Sequence, residues 1–476
     1  MAISDTSNPE TALTRPTHAR FITLAFLCSM AIVLYLDRVC IAQALKPMKE
    51  EFGLSNSQAS MVLMAFTLAY GLFEVPTGRW GDRFGSRRVL TRIVLWWSVF
   101  TALTGCVPVL GMEFLWFPMS LCLLILVRFL FGAGEAGAIP NSARILMQWF
   151  PDHERGRMQG LFQAAMHVGG TVAPILAAKI IDATHWRWTF VIFGAVGLAW
   201  AALFFWWFRD NPAEHHAVNT AEVQLIGQRG QKGHDRHGAV PWGETLSHPN
   251  VWLLGIITTM SAFNSYFFFS WYATYLQEAR IWHDPDVTYA VGGGLAVVAY
   301  DVGVSNEAAG WLGAIALLGA TAGSLLGGWL SDLITRHVAN RYRARRLLCL
   351  IAFFAAAVFL LVNVQVDHPV ISAVFCGLAC VALFAQLPTW WACSFDVSGQ
   401  HTGTLFGLLN GMGVVGAMGS QFFFGAFADG RKAAGFLGRE QWDPAFYLSI
   451  ALLVTGGILW QFIYPRRAVG ETAPPT

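Results

Sequence analysis

The feature that most constrains this chain is a series of twelve apolar segments, each of about 20 or more residues. A helix of that length crosses the hydrocarbon core of a bilayer. Only 13% of the 476 residues are charged, whereas about 25% is usual in a soluble domain. The sequence therefore predicts an all-α membrane protein with twelve transmembrane helices, near residues 20–45, 57–79, 88–110, 117–147, 154–181, 187–208, 250–277, 307–333, 346–364, 369–393, 402–428 and 443–465.

One long polar interval, from Arg209 to Pro249, divides these segments into six plus six. The first apolar run has no cleavage-site pattern after it, so we interpret it as a retained helix. The predicted regions are a tail over 1–19, a six-helix half over 20–210, a linker over 211–249, a second six-helix half over 250–465 and a tail over 466–476.

Lys and Arg are concentrated in the loops on one side of the predicted helices, with Arg15 and Arg20, Arg155 and Arg157, and five arginines over 336–346 among them. Loops rich in these residues stay in the cytoplasm. Both tails and the linker are therefore predicted to be cytoplasmic, in a multi-pass protein of the inner (plasma) membrane.

Internal repetition relates the two halves. A Gly-x-x-x-Asp pattern ends the second segment at Gly78 and Asp82, and it returns at Gly328 and Asp332. A second pattern begins at Gly160 and returns at Gly407. The offsets, 250 and 247 residues, differ by a short insertion, which is typical of a carrier built from duplicated units.

Charged residues inside the apolar segments are the candidate functional groups. Arg128 and Glu135 are seven positions apart, which on a helix places them on one face about 10 Å apart. A charge in the bilayer costs about 2.5–3.5 kcal/mol on insertion scales, so such residues tend to face a wet cavity, a partner charge or a substrate. The alternative is a buried ion pair that only joins helices. Asp37 and Arg38 in the first segment present the same choice.

Several other functions are disfavoured. A net charge of +2 gives no basic surface for nucleic acid, and the eight Cys read as free thiols, without a disulfide framework or a zinc site. Gly-x-Gly-x-x-Gly occurs at Gly132 and Gly411, but inside apolar helices, where small residues let backbones approach closely. No phosphate-binding loop or hydrolase motif is present, so neither an enzyme nor a cofactor is predicted.

Four stretches carry a resemblance to a known family: Gly78 to Arg88, Tyr35 to Arg38, Arg128 to Phe150, and Trp186 to Phe190. The first resembles the signature loop of the major facilitator superfamily. Together they resemble its anion:cation symporter family, which includes hexuronate, galactonate and tartrate carriers and the vesicular glutamate and sialate carriers. The resemblance implies two six-helix halves with inverted repeats within each half.

The resemblance also implies symport of an organic anion with protons, driven by the proton gradient. By this resemblance and by charge complementarity, Arg38 is assigned to the substrate carboxylate and Arg128 to a second anion contact or to tuning of the acids. Asp37 and Glu135 are the predicted proton sites. Partners are then a small organic anion, protons and the lipid bilayer, and a functional monomer is expected.

Further substrate contacts are predicted at Tyr70, and at Gln163 and Asn410, whose equivalent repeat positions suggest that they face each other across the two halves. His167, Asn264, Tyr266 and Tyr272 are weaker candidates. The resemblance implies a conformational latch that is formed by Gly78, Asp82, Arg83, Arg87, Arg88 and Asp332. Positive-inside orientation is the alternative explanation for its arginines.

Two departures from the family pattern stand out. Gln421 replaces a Pro that is often found in the eleventh segment, and the interval from Glu278 to Asn306 is unusually long, either an external lid or a half-buried turn. The expected function is proton-coupled import of an organic anion, a hexuronate, aldonate or similar carboxylate, by alternating access. A proton-coupled exporter of drugs or metabolites and a non-transporting substrate sensor are the alternatives.

Overall fold

The computed structural model describes residues 15–114, 117–227, 242–284, 288–291, 294–297, 300–337, 341–398 and 402–464. The first half consists of long helices joined by short loops. Its helices are α1 (Ala19–Phe52), α2 (Asn56–Phe84), α3 (Ser86–Cys106), α4 (Met119–Glu135), α5 (Ala138–Trp149), α6 (Asp152–Ala183) and α7 (Trp186–Trp207). Two short strands, β1 (Glu113–Phe114) and β2 (Phe117–Pro118), pair in the loop before α4.

Short helices follow in the interval between the halves: a 3-10 turn (Pro212–Glu214), α8 (Thr220–Ile226) and α9 (Trp242–Ser247). The second half repeats the architecture of the first. Its helices are α10 (Pro249–Ser270), α11 (Tyr272–Ala279), α12 (Asn306–His337), α13 (Arg341–Gln365), α14 (Pro369–Ala385), α15 (Leu387–Ser398), α16 (Thr402–Ala433), α17 (Arg439–Trp442) and α18 (Phe446–Leu459), with 3-10 turns at Asp443–Ala445 and Trp460–Phe462.

All twelve predicted apolar segments coincide with helices, which confirms the predicted fold class. In the described part of the chain, eleven helical stretches are long and apolar enough to cross a membrane. The remaining segment is α2, which carries Glu74 and the Arg-rich end near Arg83.

Three predicted segments are broken: the segment over 250–277 divides into α10 and α11 at Trp271, and two others are broken at corresponding positions of the halves. The segment over 117–147 divides into α4 and α5 after Glu135, and the segment over 369–393 divides into α14 and α15 at Gln386. Ala136 and Gln386 are 250 residues apart, the same offset as the Gly-x-x-x-Asp repeat. At these two positions the repetition seen in the sequence extends to the interruption of a helix, whereas the break between α10 and α11 has no counterpart in the continuous helix α1.

The interval from Glu278 to Asn306 forms a long antiparallel hairpin. Strand β3 (Ile281–Asp284) pairs with β6 (Tyr300–Gly303), and β4 (Thr288–Val291) pairs with β5 (Gly294–Val297) nearer the tip. The base of the hairpin is fixed by the backbone N–H of Val304, which donates to the carbonyl of Arg280 at 3.3 Å.

Because successive spans alternate in direction, the helix ends lie on two faces. We call the face at which the first span begins the terminal face; it carries the span ends at Ala19, Phe84, Trp149, Trp207, Pro249 and Ser398. The other face, called the opposite face, carries the span ends at Phe52, Cys106, Ala183, Asn306, Gln365 and Ala433. Between the halves, α6 packs on α12 and α2 packs on α16, while α1 contacts α11 and α10. The candidate site lies where these helices meet.

Polar contacts join the halves at the opposite face. Asp429 of α16 accepts hydrogen bonds from the backbone N–H groups of Asn56 (3.0 Å) and Ser57 (2.6 Å) at the start of α2. Lys49 of α1 lies 2.7 Å from Glu278.

Asn306, at the start of α12, is a second junction on that face. It accepts from the Gln43 amide at 2.6 Å and donates to Asp182 of α6 at 3.0 Å. The opposite face is thus closed by hydrogen bonds and an ion pair.

Candidate functional site

A cavity of about 120 Å³ lies at the junction of the two halves, midway along the helices. Two arginines and four aromatic rings dominate its walls. It is lined by Tyr35, Arg38, Ile41, Leu63, Phe66 and Arg128 from the first half and by Tyr266, Phe269, Ser270 and Gln421 from the second. Both halves therefore contribute to one site.

Arg38 and Glu135 form a buried ion pair at this cavity. The Nε atom of Arg38 donates to Oε1 of Glu135 at 2.8 Å, and its Nη2 atom donates to the same oxygen. The Glu135 side chain is 1% exposed and that of Arg38 is 15% exposed. The second oxygen of Glu135 has no hydrogen-bond partner in the described part of the chain. Arg38 therefore lines the cavity, whereas its counter-ion Glu135 does not.

The sequence suggested that Glu135 lies on one helix face with Arg128, but in the structure Glu135 forms an ion pair with Arg38 of another helix. The cause is local: the helix ends at Glu135 and restarts at Ala138. Thr77 donates at 3.0 Å to the carbonyl of Ala136, which lacks a helical donor because residue 140 is proline, and the Asn141 side-chain amide donates to the Gly137 carbonyl at 2.7 Å. Side chains thus satisfy the interrupted backbone within the protein, as a membrane helix requires.

Aromatic rings hold the Arg38 guanidinium in place. Its Cζ atom lies 4.7 Å from the ring centroid of Tyr70, 5.2 Å from that of Phe66 and 5.5 Å from that of Tyr35. Contacts of this kind are attractive for a cation, and more so when water is excluded. Tyr70, a predicted substrate contact, packs its ring against Arg38, although it is not among the residues that line the cavity.

Arg128 presents a guanidinium with unused donors. Its Cζ atom lies 4.4 Å from the Phe131 ring centroid and 5.3 Å from that of Phe66. The residue is 1% exposed, and its Nε and Nη1 atoms have no hydrogen-bond partner among the described residues. A buried donor without a partner costs about 1–3 kcal/mol. An anion in the cavity would supply the missing acceptors.

Asp37, next to Arg38 on α1, is fully buried and does not line the cavity. Neither carboxyl oxygen has a hydrogen-bond partner in the described part of the chain. Arg128 and Glu135 are the charged groups within electrostatic range. The structure therefore brings Asp37, Arg38, Arg128 and Glu135 close together, and of these four residues only the two arginines line the cavity.

Gln421 connects the cavity to both halves. Its amide oxygen accepts from Thr67 of α2 at 3.0 Å, and its amide nitrogen donates to Ser270 of α10 at 3.1 Å. The sequence had marked Gln421 as a departure from the family pattern. The structure adds that it lines the cavity and bridges the halves.

Asn410 has a different partner from the one expected. Its amide nitrogen donates to Oε2 of Glu74 on α2. The predicted pairing of Asn410 with Gln163 is not formed, because Asn410 lies on α16, which packs on α2, whereas Gln163 lies on α6, which packs on α12. Gln163 makes no hydrogen bond with the residues that the structure describes.

Sequence reasoning missed Glu74, although the signal was present. It is an acid within the predicted segment 57–79, which is the same criterion that identified Arg128 and Glu135. The aromatic residues Tyr35, Phe66 and Phe269 were also missed as lining residues, because aromatic side chains are common throughout apolar helices.

For part of the predicted latch the structure describes the backbone but not the side chains. This applies to Gly78, Asp82 and Asp332, whose placement within their helices is not described beyond the backbone. Arg87 is described: its backbone N–H donates to Asp210 at 2.8 Å, and its Nε atom donates to the Phe205 carbonyl at 3.0 Å. Both partners of Arg87 lie in the same half of the chain as Arg87 itself. Arg83 and Arg88 lie beside it at the terminal face, and the latch stays a prediction.

Comparisons with known proteins support the same architecture. The sequence profile of the Major Facilitator Superfamily matches residues 27–410. A probable sulfoacetate transporter of Cupriavidus necator is 29% identical over 452 residues, which cover 94% of this chain and 95% of that protein. The D-galactonate transporter of Escherichia coli is 27% identical over 336 residues, covering 68% and 69%.

Solved structures agree in fold. A bacterial homologue of the human lysosomal transporter Spinster, in an inward-facing and unoccupied conformation, matches with a TM-score of 0.69 at 20% identity, covering 93% of this chain and 96% of that one. A D-xylose–proton symporter matches with a TM-score of 0.67 at 13% identity, covering 94% and 98%. The chain therefore belongs to the Major Facilitator Superfamily, and it is a membrane transporter and not an enzyme.

Proposed function

We propose that this protein is a proton-coupled symporter that imports an organic anion, a sugar acid or a similar carboxylate. The observation that carries the proposal is the Arg38–Glu135 pair, in which a cavity-lining guanidinium is neutralised by a carboxylate behind it. The curated relatives have names that specify sulfoacetate, D-galactonate and galactarate or D-glucarate as substrates. All of these are organic anions with carboxylate groups.

Coupling follows from competition for Arg38. A substrate carboxylate that binds the Arg38 guanidinium takes the place of the Glu135 oxygen, because both need the same fork of N–H donors. Glu135 is then a buried carboxylate without its cation, and an isolated buried charge is removed by taking up a proton. Asp37, which already lacks a hydrogen bond, is the second proposed proton site.

The remaining proposed roles follow from position. Arg128 offers its unused donors to the anion, and Tyr70, Gln163 and Asn410 are proposed polar contacts as the halves move. The terminal face, which carries Arg87, Arg88 and Arg155, is proposed to be the cytoplasmic face of a bacterial inner membrane. The unit of transport is proposed to be the monomer.

Uptake by purified protein in liposomes tests the proposal. The panel is radiolabelled sulfoacetate, D-galactonate, D-glucarate and a hexuronate, with an inward proton gradient. We expect accumulation of at least one anion by the wild type and its loss in Arg38→Ala. The control is Arg92→Ala, which removes an exposed arginine that packs on Trp80 at 4.4 Å, and it should transport normally.

Two results would overturn the proposal. One is accumulation that is independent of the proton gradient or unaffected by Arg38→Ala. The other is proton-linked efflux of cationic dyes without uptake of any anion in the panel, which would indicate an exporter.

A further inference from the structure

Glu74 is an acid of α2 that contacts the other half of the protein. Its Oε2 atom accepts a hydrogen bond from the side-chain amide of Asn410 on α16. The sequence analysis assigned no role to Glu74, and the Arg38–Glu135 mechanism does not use it.

Glu74 lies just outside the cavity, on the side of the terminal face. Phe66, Tyr70 and Glu74 are spaced by four residues, so they occupy one face of α2 in successive turns. Phe66 lines the cavity and Tyr70 packs on Arg38. The next turn places Glu74 about 6 Å further along the helix, towards the terminal face.

The Glu74–Asn410 bond joins the two halves on that side of the cavity. Other hydrogen bonds between the halves lie nearer the opposite face, from Asp429 with Ser57 to Gln421 with Thr67. Of the hydrogen bonds between the halves whose two partners the structure describes, the Glu74–Asn410 bond lies nearest the terminal face. The bond therefore occupies the position of a gate on that side of the cavity.

The charges near the cavity bear on the protonation of Glu74. Arg38 and Arg128 supply two positive charges, and Asp37 and Glu135 supply two negative charges. Glu74 adds a third carboxylate, and within the described part of the chain no Lys or Arg forms an ion pair with it. An unpaired charge in this environment is costly, and a proton removes it.

The groups that face Glu74 come from each neighbouring element. Arg38 on α1, Tyr70 on α2 and Tyr266 on α10 lie within electrostatic range. Helix α16 presents the neutral amide of Asn410. Helix α4 also packs on α2, and its acid Glu135 is bonded to Arg38. Arg38 is the cation within electrostatic range of Glu74, and it already forms an ion pair with Glu135.

We propose that Glu74 is an additional proton-binding residue of this transporter and that its hydrogen bond to Asn410 is the gate between the cavity and the terminal face. This rests on the proposed function for the identity of the coupling ion. An ionised carboxylate accepts a charge-assisted hydrogen bond, roughly twice as strong as a neutral one. Protonation of Glu74 therefore weakens the link to Asn410 and lets the halves separate at the terminal face.

The test measures the gate itself and needs no substrate. Spin labels are placed at Met147→Cys and Leu347→Cys, which are exposed positions near the terminal face on the two halves. Cys28, Cys106 and Cys122 are the native cysteines that are not fully buried, and serine replaces them. Distances between the labels are measured in liposomes at about pH 8 and about pH 5, a range in which buried carboxyl groups titrate.

We expect the distance distribution of otherwise wild-type protein to shift to longer values at low pH. In Glu74→Gln, whose amide oxygen can still accept from Asn410 but carries no charge, the shift should be lost and the long distances should predominate at both pH values. Asn410→Leu removes the bond and keeps the acid, and it should also show long distances at both pH values. The control Glu154→Gln removes a terminal-face acid that pairs with Arg20, and it should keep the shift.

A shift that persists unchanged in Glu74→Gln would overturn the proposal, as would a wild type whose distances do not depend on pH. Because no substrate is present, neither result would bear on whether the protein carries an organic anion. Conversely, failure of the uptake panel would leave this distance measurement fully interpretable.

Discussion

Arg38 and Arg128 bring the same charge to the same cavity, but they are held in different ways. Arg38 has a carboxylate partner in Glu135, whereas two nitrogens of Arg128 have no partner in the described part of the chain. A substrate carboxylate must therefore displace Glu135 to bind Arg38, and it can bind Arg128 without displacing anything. At the scale of single residues, this difference separates the coupling group from an additional anion contact.

The replacement Arg38→Lys tests whether the shape of the guanidinium matters as well as its charge. Lysine keeps the positive charge but loses the two-donor contact with Glu135 and much of the packing on Tyr70 and Phe66. We expect the apparent affinity for the transported anion to fall about ten-fold, which is about 1.4 kcal/mol.

The measurement is the substrate concentration that gives half-maximal uptake in liposomes. The matched control is Arg92→Lys, because Arg92 also packs on an aromatic ring but lies at an exposed position. Equal affinities of Arg38→Lys and wild type would show that charge alone is sufficient at this position.

Sequence reasoning identified the charged residues but not their partners. Arg38, Arg128 and Glu135 were selected because charges are costly in apolar segments. The pairing of Arg38 with Glu135 could not be derived, because it depends on how α1 packs beside the end of α4, 97 positions later in the chain. The same limit applies to Asn410, whose partner Glu74 is 336 positions away.

Small residues set how closely the helices of the first half approach one another. A side chain added at Gly132 would place its Cβ atom 2.4 Å from the backbone oxygen of Phe66, so α4 and α2 are in close backbone contact there. The sequence analysis explained the glycines of this segment by such packing and not by a nucleotide site, and the structure agrees. This contact matters for the site because Phe66 lines the cavity.

At the scale of helix packing, two glycine-to-alanine replacements can be compared. Gly132→Ala should destabilise the protein by about 1–3 kcal/mol, since the added methyl group must separate α4 from α2. Gly160→Ala is the control: no atom lies within 4 Å of its Cβ position, and alanine is the better helix former by up to about 1 kcal/mol.

Thermal unfolding in detergent should therefore show a lower midpoint for Gly132→Ala and an unchanged or higher one for Gly160→Ala. A Gly132→Ala protein as stable as the wild type would contradict the close contact between these helices.

Helix α2 has its first N–H groups capped by the other half of the protein. Asp429 of α16 accepts from the N–H groups of Asn56 and Ser57 and from the Ser57 hydroxyl at 2.7 Å. A carboxylate at a helix N-terminus is favourable because it meets unpaired N–H groups and the positive end of the helix dipole. This cap holds only while the opposite face is closed.

Removing the cap should therefore favour opening of that face. Asp429→Ala loses about 0.5–2 kcal/mol of capping energy. We expect faster alkylation of a cysteine introduced at the cavity residue Ser270 when a membrane-impermeant maleimide is added from the opposite face. The background again has serine at Cys28, Cys106 and Cys122.

The control for this experiment is Ser55→Ala. Ser55 also caps the start of α2, by accepting from the N–H of Gln58 at 3.1 Å, but it does so within its own half. If both replacements change the labelling rate equally, the cap would affect α2 itself and not the contact between the halves.

At the scale of the whole molecule, the structure is asymmetric across the membrane. The opposite face is closed by the contacts of Asp429, Asn306 and Lys49, whereas Glu74 with Asn410 is the last described link towards the terminal face. This asymmetry is typical of a carrier whose halves rock around a central site. The sequence predicted the twelve helices and the two halves, because length and apolarity decide both. It could not predict which face is closed, because that depends on contacts between residues far apart in the chain.

The interval between the halves is attached to one of them. Glu222 of α8 accepts hydrogen bonds from the backbone N–H of Arg20 at 3.3 Å and from its Nη1 atom at 3.0 Å. The Asn219 side chain caps α8 by accepting from the Glu222 N–H at 2.9 Å. Helix α8 is therefore expected to move with the first half when the halves rock.

The most direct test of the central claim compares two transport modes of Glu135→Gln with those of the wild type. The claim is that the substrate anion takes Arg38 from Glu135 and that Glu135 then binds the coupled proton. Proteoliposomes are assayed for accumulation driven by an inward proton gradient and for exchange of labelled for unlabelled anion without a gradient, using the anion of the uptake panel that the wild type accumulates. We predict that Glu135→Gln retains exchange within a few-fold of the wild type and loses gradient-driven accumulation. Accumulation at the wild-type level by Glu135→Gln would contradict the account.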